Sequence, residues 1–171
     1  MTIDALFDLK QSSCKLRSIK LKQIRAVFET FTIKEEQNRY LSPFTKFSSP
    51  EQVFATFSFL RQETKEYFFA LHLDGKNRIC CIDVVSIGSL NQSIVHPREV
   101  FKTALLSSAA AIILLHNHPT GDPTPSREDI TITKRLREAG DIIGVRVLDH
   151  IIIGDEFVSF VNQGLLNTPL T

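Results

Sequence analysis

The chain has no tryptophan, one methionine and three cysteines among 171 residues, and no extended apolar run. Each shortage excludes something. A membrane-spanning helix needs about 18 or more consecutive apolar residues, and no stretch of this sequence approaches that. Three cysteines, with Cys80 and Cys81 adjacent, make a poor disulfide framework and lack the paired Cys-x-x-Cys spacing of a structural zinc site. They read as thiols kept reduced in a cytoplasmic interior. The opening "MTIDALFDLKQ" carries acids where a secretory leader carries basic residues, and no apolar core follows them, so no leader is expected. An excess of one charge is missing too: the formal net charge is +1, so any attraction for nucleic acid must be local.

What is present is an ordinary globular composition, 43% hydrophobic and 23% charged, with thirteen phenylalanines supplying aromatic bulk. The length fits one domain, residues 49–171, behind a basic N-terminal extension, residues 1–48. In that extension Ile19 and Leu21 alternate with Lys20 and Lys22, the period of a half-buried strand. The run Lys10, Lys15, Arg17, Lys20, Lys22 and Arg25 contains no acid; it reads as a lysine-guarded edge strand or as a patch for nucleic acid through Lys20, Lys22 and Arg25.

Beyond residue 48 the pattern sharpens. Ser49, Pro50 and Glu51 start a Phe-rich helix over about 50–62. "EYFFALHL" and "RICCIDVVSIG" flank an Asp-Gly turn and predict a hairpin; a short strand is expected at "QSIV". His96 and Pro97 open a helix continuing through "VFKTALLSSAAA". "IILLH" is a short apolar run typical of a strand buried on both faces. Ser126 starts a helix predicted to end at Gly140, and "VRVLDHIIIGDEFVSFV" predicts a second hairpin. Helices interrupting strands singly imply a mixed central sheet flanked by helices, an α/β fold.

The chemistry concentrates in "LLHNHPTGDPTPSREDI". His116 and His118 are two apart, so both imidazoles leave an extended chain on one side, while Asn117 between them is expected on the other, in a structural role. Ser126 places Asp129 in the first turn of the next helix, facing the strand end. Two imidazoles, a carboxylate and one open position make the composition of a catalytic zinc site. Ser126 with Asp129 also reads as a helix cap. The conjunction of same-side histidines, a stiff loop and a first-turn carboxylate favours a metal site, and a cap would itself hold the ligand rigid.

"HNHPTGDPTPSRED" resembles the JAMM signature, His-x-His, seven residues, Ser, two residues, Asp, at His116, His118, Ser126 and Asp129 without a gap. With "HPREVFKTALLSSAAAIILL" before it and "VLDHIIIGDEFVSF" after it, the chain is similar to the RadC-like JAB family over about residues 49–166. The resemblance implies a JAB/MPN-like fold of cytidine-deaminase-like architecture and a zinc-dependent metalloprotease or isopeptidase acting on a protein or peptide substrate. It also implies an upstream glutamate as general base. Glu66 in "KEYFFALHL" occupies the matching place, with Glu63 and Glu99 as rivals. Ser126 is then placed to donate to a developing oxyanion. Asp149 and His150 resemble a family doublet expected to support the ligands from behind.

Other histidine-rich hydrolases fit less well. The metallo-β-lactamase pattern continues His-x-His with Asp-His, whereas Pro119 and Thr120 follow here, and the base deaminases need His-x-Glu with Pro-Cys-x-x-Cys. A DNA-associated role, as a repair factor, which the family's name suggests, or as a mobile-element factor, is the second expectation, but no helix-hairpin-helix glycine pattern precedes residue 48. A binding module that keeps zinc without catalysis is the third.

Overall fold

A computed structural model describes residues 46–88 and 95–167. The predicted basic strand with Lys20, Lys22 and Arg25 lies outside the described residues, as does all of the expected "QSIV" strand except Val95.

Among the described residues five strands form one mixed sheet: β1 (Tyr67–Leu73), β2 (Ile79–Ile87), β3 (Ala111–Asn117), β4 (Arg146–Ile153) and β5 (Phe157–Ser159), in the order β2-β1-β3-β4-β5. Only β3 and β4 run parallel; the other neighbours are antiparallel. A parallel pair needs a crossover, and α3 (Arg127–Ile143) supplies it. Helix α1 (Pro50–Phe57) and α2 (Pro97–Leu106) are the other α-helices among the described residues. Among the described residues no helix is long and apolar enough to cross a membrane.

The central strands β1, β3 and β4 are covered on both sides, while edge strand β2 is partly exposed. Val53, Phe57 and Leu60 pack on Phe69, Leu71, Ile113 and Ile151. On the opposite face Phe101, Ala104, Ile132 and Leu136 pack on Phe68, Ala70, Ile112, Leu114 and Ile152. Every residue of β3 is buried, as its continuous apolar run implies.

Several element boundaries differ from those expected. The first helix ends at Phe57 and tightens into a 3₁₀ turn, Ser58–Gln62; Ser58 Oγ donates to the Ala55 carbonyl, the local bonding that weakens a regular helix end. Ser49 occupies the cap position with extended backbone but makes no side-chain capping bond. The first hairpin turns through Asp74 to Arg78, with the left-handed residue at Asn77 (φ 57°) rather than at Gly75. Asp74 organises that loop by accepting from the backbone N–H groups of Lys76 and Arg78 and pairing with the Arg78 guanidinium.

Helix α2 stops at Leu106, short of the alanine run, because Ser108 turns left-handed (φ 56°) and Ala110 N–H already donates to the Leu73 carbonyl, a sheet bond. Helix α3 passes Gly140 and ends at Ile143, where Gly144 (φ 84°) takes the left-handed cap. Gly140 is needed for a different reason. A Cβ there would lie 2.5 Å from the Val145 carbonyl oxygen and 3.1 Å from the Phe101 ring.

This topology brings the carboxyl end of β3 against the start of α3. The loop between them is pinned to the β4–β5 turn, with Asp155 N–H donating to the Gly121 carbonyl (2.6 Å) and Gly121 N–H to the His118 carbonyl (3.0 Å). Gly154 and Gly121 touch backbone to backbone, leaving no room for a Cβ at Gly154.

Candidate metal centre

His116 is the sixth residue of β3, and His118 extends the same strand by one rung, its N–H donating to the Ile153 carbonyl of β4 at 2.8 Å. Their imidazoles therefore share a face, and the two Nε2 atoms lie 3.0 Å apart. Asp129 reaches back from α3, with Oδ1 3.3 Å from His116 Nε2 and Oδ2 3.5 Å from His118 Nε2. The structure thus brings together the three residues the sequence singled out, and their donor atoms all fall within 4.8 Å of one another. The His116 and Asp129 side chains are buried, at 0% and 2% exposure, while His118 keeps 14%. Access to the group is from the His118 side.

Ser126 is the N-cap of α3 in a reciprocal capping box. Its Oγ accepts from Asp129 N–H (3.1 Å), and Asp129 Oδ2 accepts from Ser126 N–H (2.7 Å) and from Ser126 Oγ (2.6 Å). The cap reading is realised: Oδ2 closes the cap, while Oδ1 makes neither of the capping bonds and faces His116 Nε2.

The histidine protons follow from the partners behind them. His118 Nδ1 is 2.7 Å from the Asp122 carbonyl, an acceptor only, so Nδ1 carries a proton and the neutral ring has its lone pair on Nε2. Behind His116 the chain is longer. Thr133 Oγ1 donates its single proton to the Asp129 carbonyl (2.6 Å), so toward His150 Nδ1 it can only accept. His150 therefore holds its proton on Nδ1 and presents the lone pair of Nε2 to His116 Nδ1, 2.8 Å away. His116 is left with its own lone pair on Nε2. Two imidazole lone pairs and a carboxylate then converge, an arrangement that repels itself until a cation fills it.

Titration shifts agree for the two buried rings, whereas with no metal ion held the Asp129 carboxylate favours a second proton on His118. Burial, reinforced by the nearby His150, drives His116 well below an ordinary imidazole, and burial pushes His150 down to about 4. The rings are enclosed by Phe68, stacked on His116 at 5.9 Å, and Phe160, stacked on His150 at 4.7 Å. His118 is raised, chiefly by its bond to Asp129. Burial opposes the charge on Asp129, yet His118, His116 and the two bonds from Ser126 together hold its carboxyl below the usual range.

The three glutamates separate clearly. The last antiparallel pair between β1 and β3 is Phe68 with His116, so the next rung on the same face sets half-buried Glu66 opposite His118. Its charge acts there, contributing to the raised pKa of His118. Glu99 belongs to the start of α2, where Arg98 (3.0 Å) and Lys102 (2.6 Å) bind its carboxylate. Glu63 precedes β1, its N–H closing the 3₁₀ turn on the Leu60 carbonyl at 3.1 Å.

The Asp149–His150 doublet divides its work. His150 touches His116 directly, whereas Asp149 accepts from Ser159 Oγ (2.6 Å), His150 N–H (2.7 Å) and Val161 N–H (3.0 Å). Asp149 so fixes the turn after β5 that carries Phe160; burial raises its pKa despite those bonds. Sequence reasoning missed Thr133. Its spacing of four from Asp129, one turn along the same helix face, was the available signal.

Fold and site together define a mixed α/β domain presenting a His-His-carboxylate group able to hold a metal ion. The family model described as "RadC-like JAB domain" matches residues 47–165, and the chain belongs to that family. It is 68% identical over 123 residues to a UPF0758 protein of Geobacter sulfurreducens, covering 71% of this chain and 54% of that protein. It is 57% identical over 154 residues to a UPF0758 protein of Pelobacter propionicus, covering 88% and 67% respectively. A Methanosarcina acetivorans UPF0758 protein is 52% identical over 153 residues, covering 86% and 64%. The chain thus spans between about half and two thirds of the length of these relatives.

Proposed function

We propose that this protein is a zinc-dependent hydrolase of peptide or isopeptide bonds. The observation that carries the reading is the convergence of His116 Nε2, His118 Nε2 and Asp129, with Glu66 set opposite His118.

The donor set fits zinc. Both Nδ1 atoms are committed to hydrogen bonds, so each histidine offers one nitrogen, and a carboxylate oxygen completes a three-residue set of the kind that leaves a fourth position for water or substrate. When bound, zinc supplies a Lewis acid that polarises a carbonyl and makes water a nucleophile near neutral pH.

The chain's own groups supply the rest. The Glu66 carboxylate accepts a proton from the attacking water as its oxygen bonds to the carbonyl carbon. When the C–N bond breaks, Glu66 returns that proton to the leaving amine, ending the cycle ionised. Ser126 Oγ, whose proton rests on Asp129 Oδ2 before reaction, rotates to donate to the oxyanion; comparable donors contribute about 3 kcal/mol. The partial exposure of His118 supports entry of a protein or peptide chain from that side.

Incubating wild type and Glu66→Gln with a proteome and comparing new N-termini and released lysine isopeptides tests the reading. New ends from wild type only are expected. Identical product profiles would refute it.

A further inference from the structure

We infer that Asn117 is a positioning residue that sets the Glu66 carboxylate against the metal group. Asn117 lies between the two histidine ligands, fully buried, at the point where the β1–β3 ladder ends. Its Oδ1 accepts from Tyr67 N–H at 2.8 Å, and its Nδ2 donates to the Lys65 carbonyl at 3.0 Å. Those two backbone groups flank Glu66 on either side. Both contacts fix the orientation of the carboxamide, because each demands the atom that faces it.

A carboxamide presents one acceptor and one donor in a plane, as a peptide group does. Asn117 thereby supplies the next rung of an antiparallel ladder with its side chain. Pairing carried by main chain alone would leave β1 and β3 free to diverge beyond Phe68 and His116. On the other flank Gly88 N–H donates to the Glu66 carbonyl at 2.8 Å. The backbone of Glu66 is therefore held from both neighbouring strands, and one of the two holds comes from the residue bonded covalently to both histidine ligands. Base and ligands move as one unit.

Other residue types fail for stated reasons. Aspartate keeps the acceptor and loses the donor to Lys65. Alanine loses both and opens the strand end. Glutamine places the amide one methylene farther out.

The inference rests on Glu66 being the base, so the experiment separates the two. The full-length protein is loaded with cobalt(II), and its visible ligand-field absorption is compared for wild type, Glu66→Gln, Asn117→Ala and the double variant. Expected are one cobalt per chain in all four, shifted bands in Glu66→Gln, a shift of the same bands in Asn117→Ala, and no further change in the double variant. Unshifted bands in Asn117→Ala beside shifted bands in Glu66→Gln overturn the positioning role alone. Unshifted bands in Glu66→Gln overturn the assignment of the base and the inference with it. Cobalt lost from a folded Asn117→Ala makes Asn117 a support of the ligands and overturns the inference too. Should Asn117→Ala not fold, Asn117→Asp decides by the same spectrum. In wild type, amide exchange at Tyr67 is expected to be slowed at least about 100-fold by the buried acceptor, and exchange at an unprotected rate overturns the inference.

Discussion

His150 Nε2 accepts from His116 Nδ1 at 2.8 Å, and neither ring touches solvent. The pair fixes which nitrogen of His116 faces Asp129, and the fixing begins at Thr133, on the helix that also carries Asp129. Strand β4, strand β3 and helix α3 are thereby joined through one line of hydrogen bonds running from the Asp129 carbonyl through Thr133 and His150 to His116. A metal-bound imidazole gains basicity and a fixed orientation from such a partner.

Thr133→Val removes the hydroxyl at nearly constant volume and lets His150 choose its other tautomer. Zinc affinity is expected to fall about 10- to 100-fold, with folding retained. Competition titration against a chromophoric chelator measures it, and unchanged affinity would show the relay to be incidental.

Acid stability of the metal-free protein should follow the two buried rings. Their folded pKa values lie below the ordinary 6.5, with His150 near 4, so between those values the unfolded chain binds more protons than the folded one. Stability is then full above about 6.5 and lost as pH falls toward 4, by on the order of 3 kcal/mol from His150. His118, raised, acts in the opposite sense, contributing below 6.5 and losing that contribution as pH climbs through its folded pKa. With two buried rings against one partly exposed ring, the denaturant midpoint with chelator present should be lower at pH 5 than at pH 7.5. An equal or higher midpoint at pH 5 contradicts the assigned protonation.

Gly140→Ala forces a methyl against the Val145 carbonyl and the Phe101 ring. A loss of about 1–3 kcal/mol is expected, seen as a lower Tm with zinc binding intact, since the clash lies at the far end of α3 from Asp129. An unchanged Tm would mean the turn after α3 relaxes freely.

Much of this was legible in the sequence, and the parts that were not share a physical reason. Period and capping residues located the hairpins, the central buried strand and the start of α3, and the spacing of His116, His118, Ser126 and Asp129 singled out the group that the fold brings together. Helix ends were read less well. Gly140 resembles a stop signal, yet its glycine serves close packing against Phe101, a contact between residues distant in sequence. The alanine run after Leu106 has high helix propensity, but the sheet claims it through the Leu73 carbonyl. The carboxamide of Asn117 bridging to residues 65 and 67 was invisible for the same reason: strand alternation gives a face, and only the fold supplies the neighbour.

Metal analysis of the purified protein tests the central claim most directly. Wild type is expected to carry about one zinc per chain and His118→Ala close to none, both folded at neutral pH with chelator absent. Wild-type protein that is fully folded at neutral pH, supplied with zinc and still free of bound metal, would contradict it.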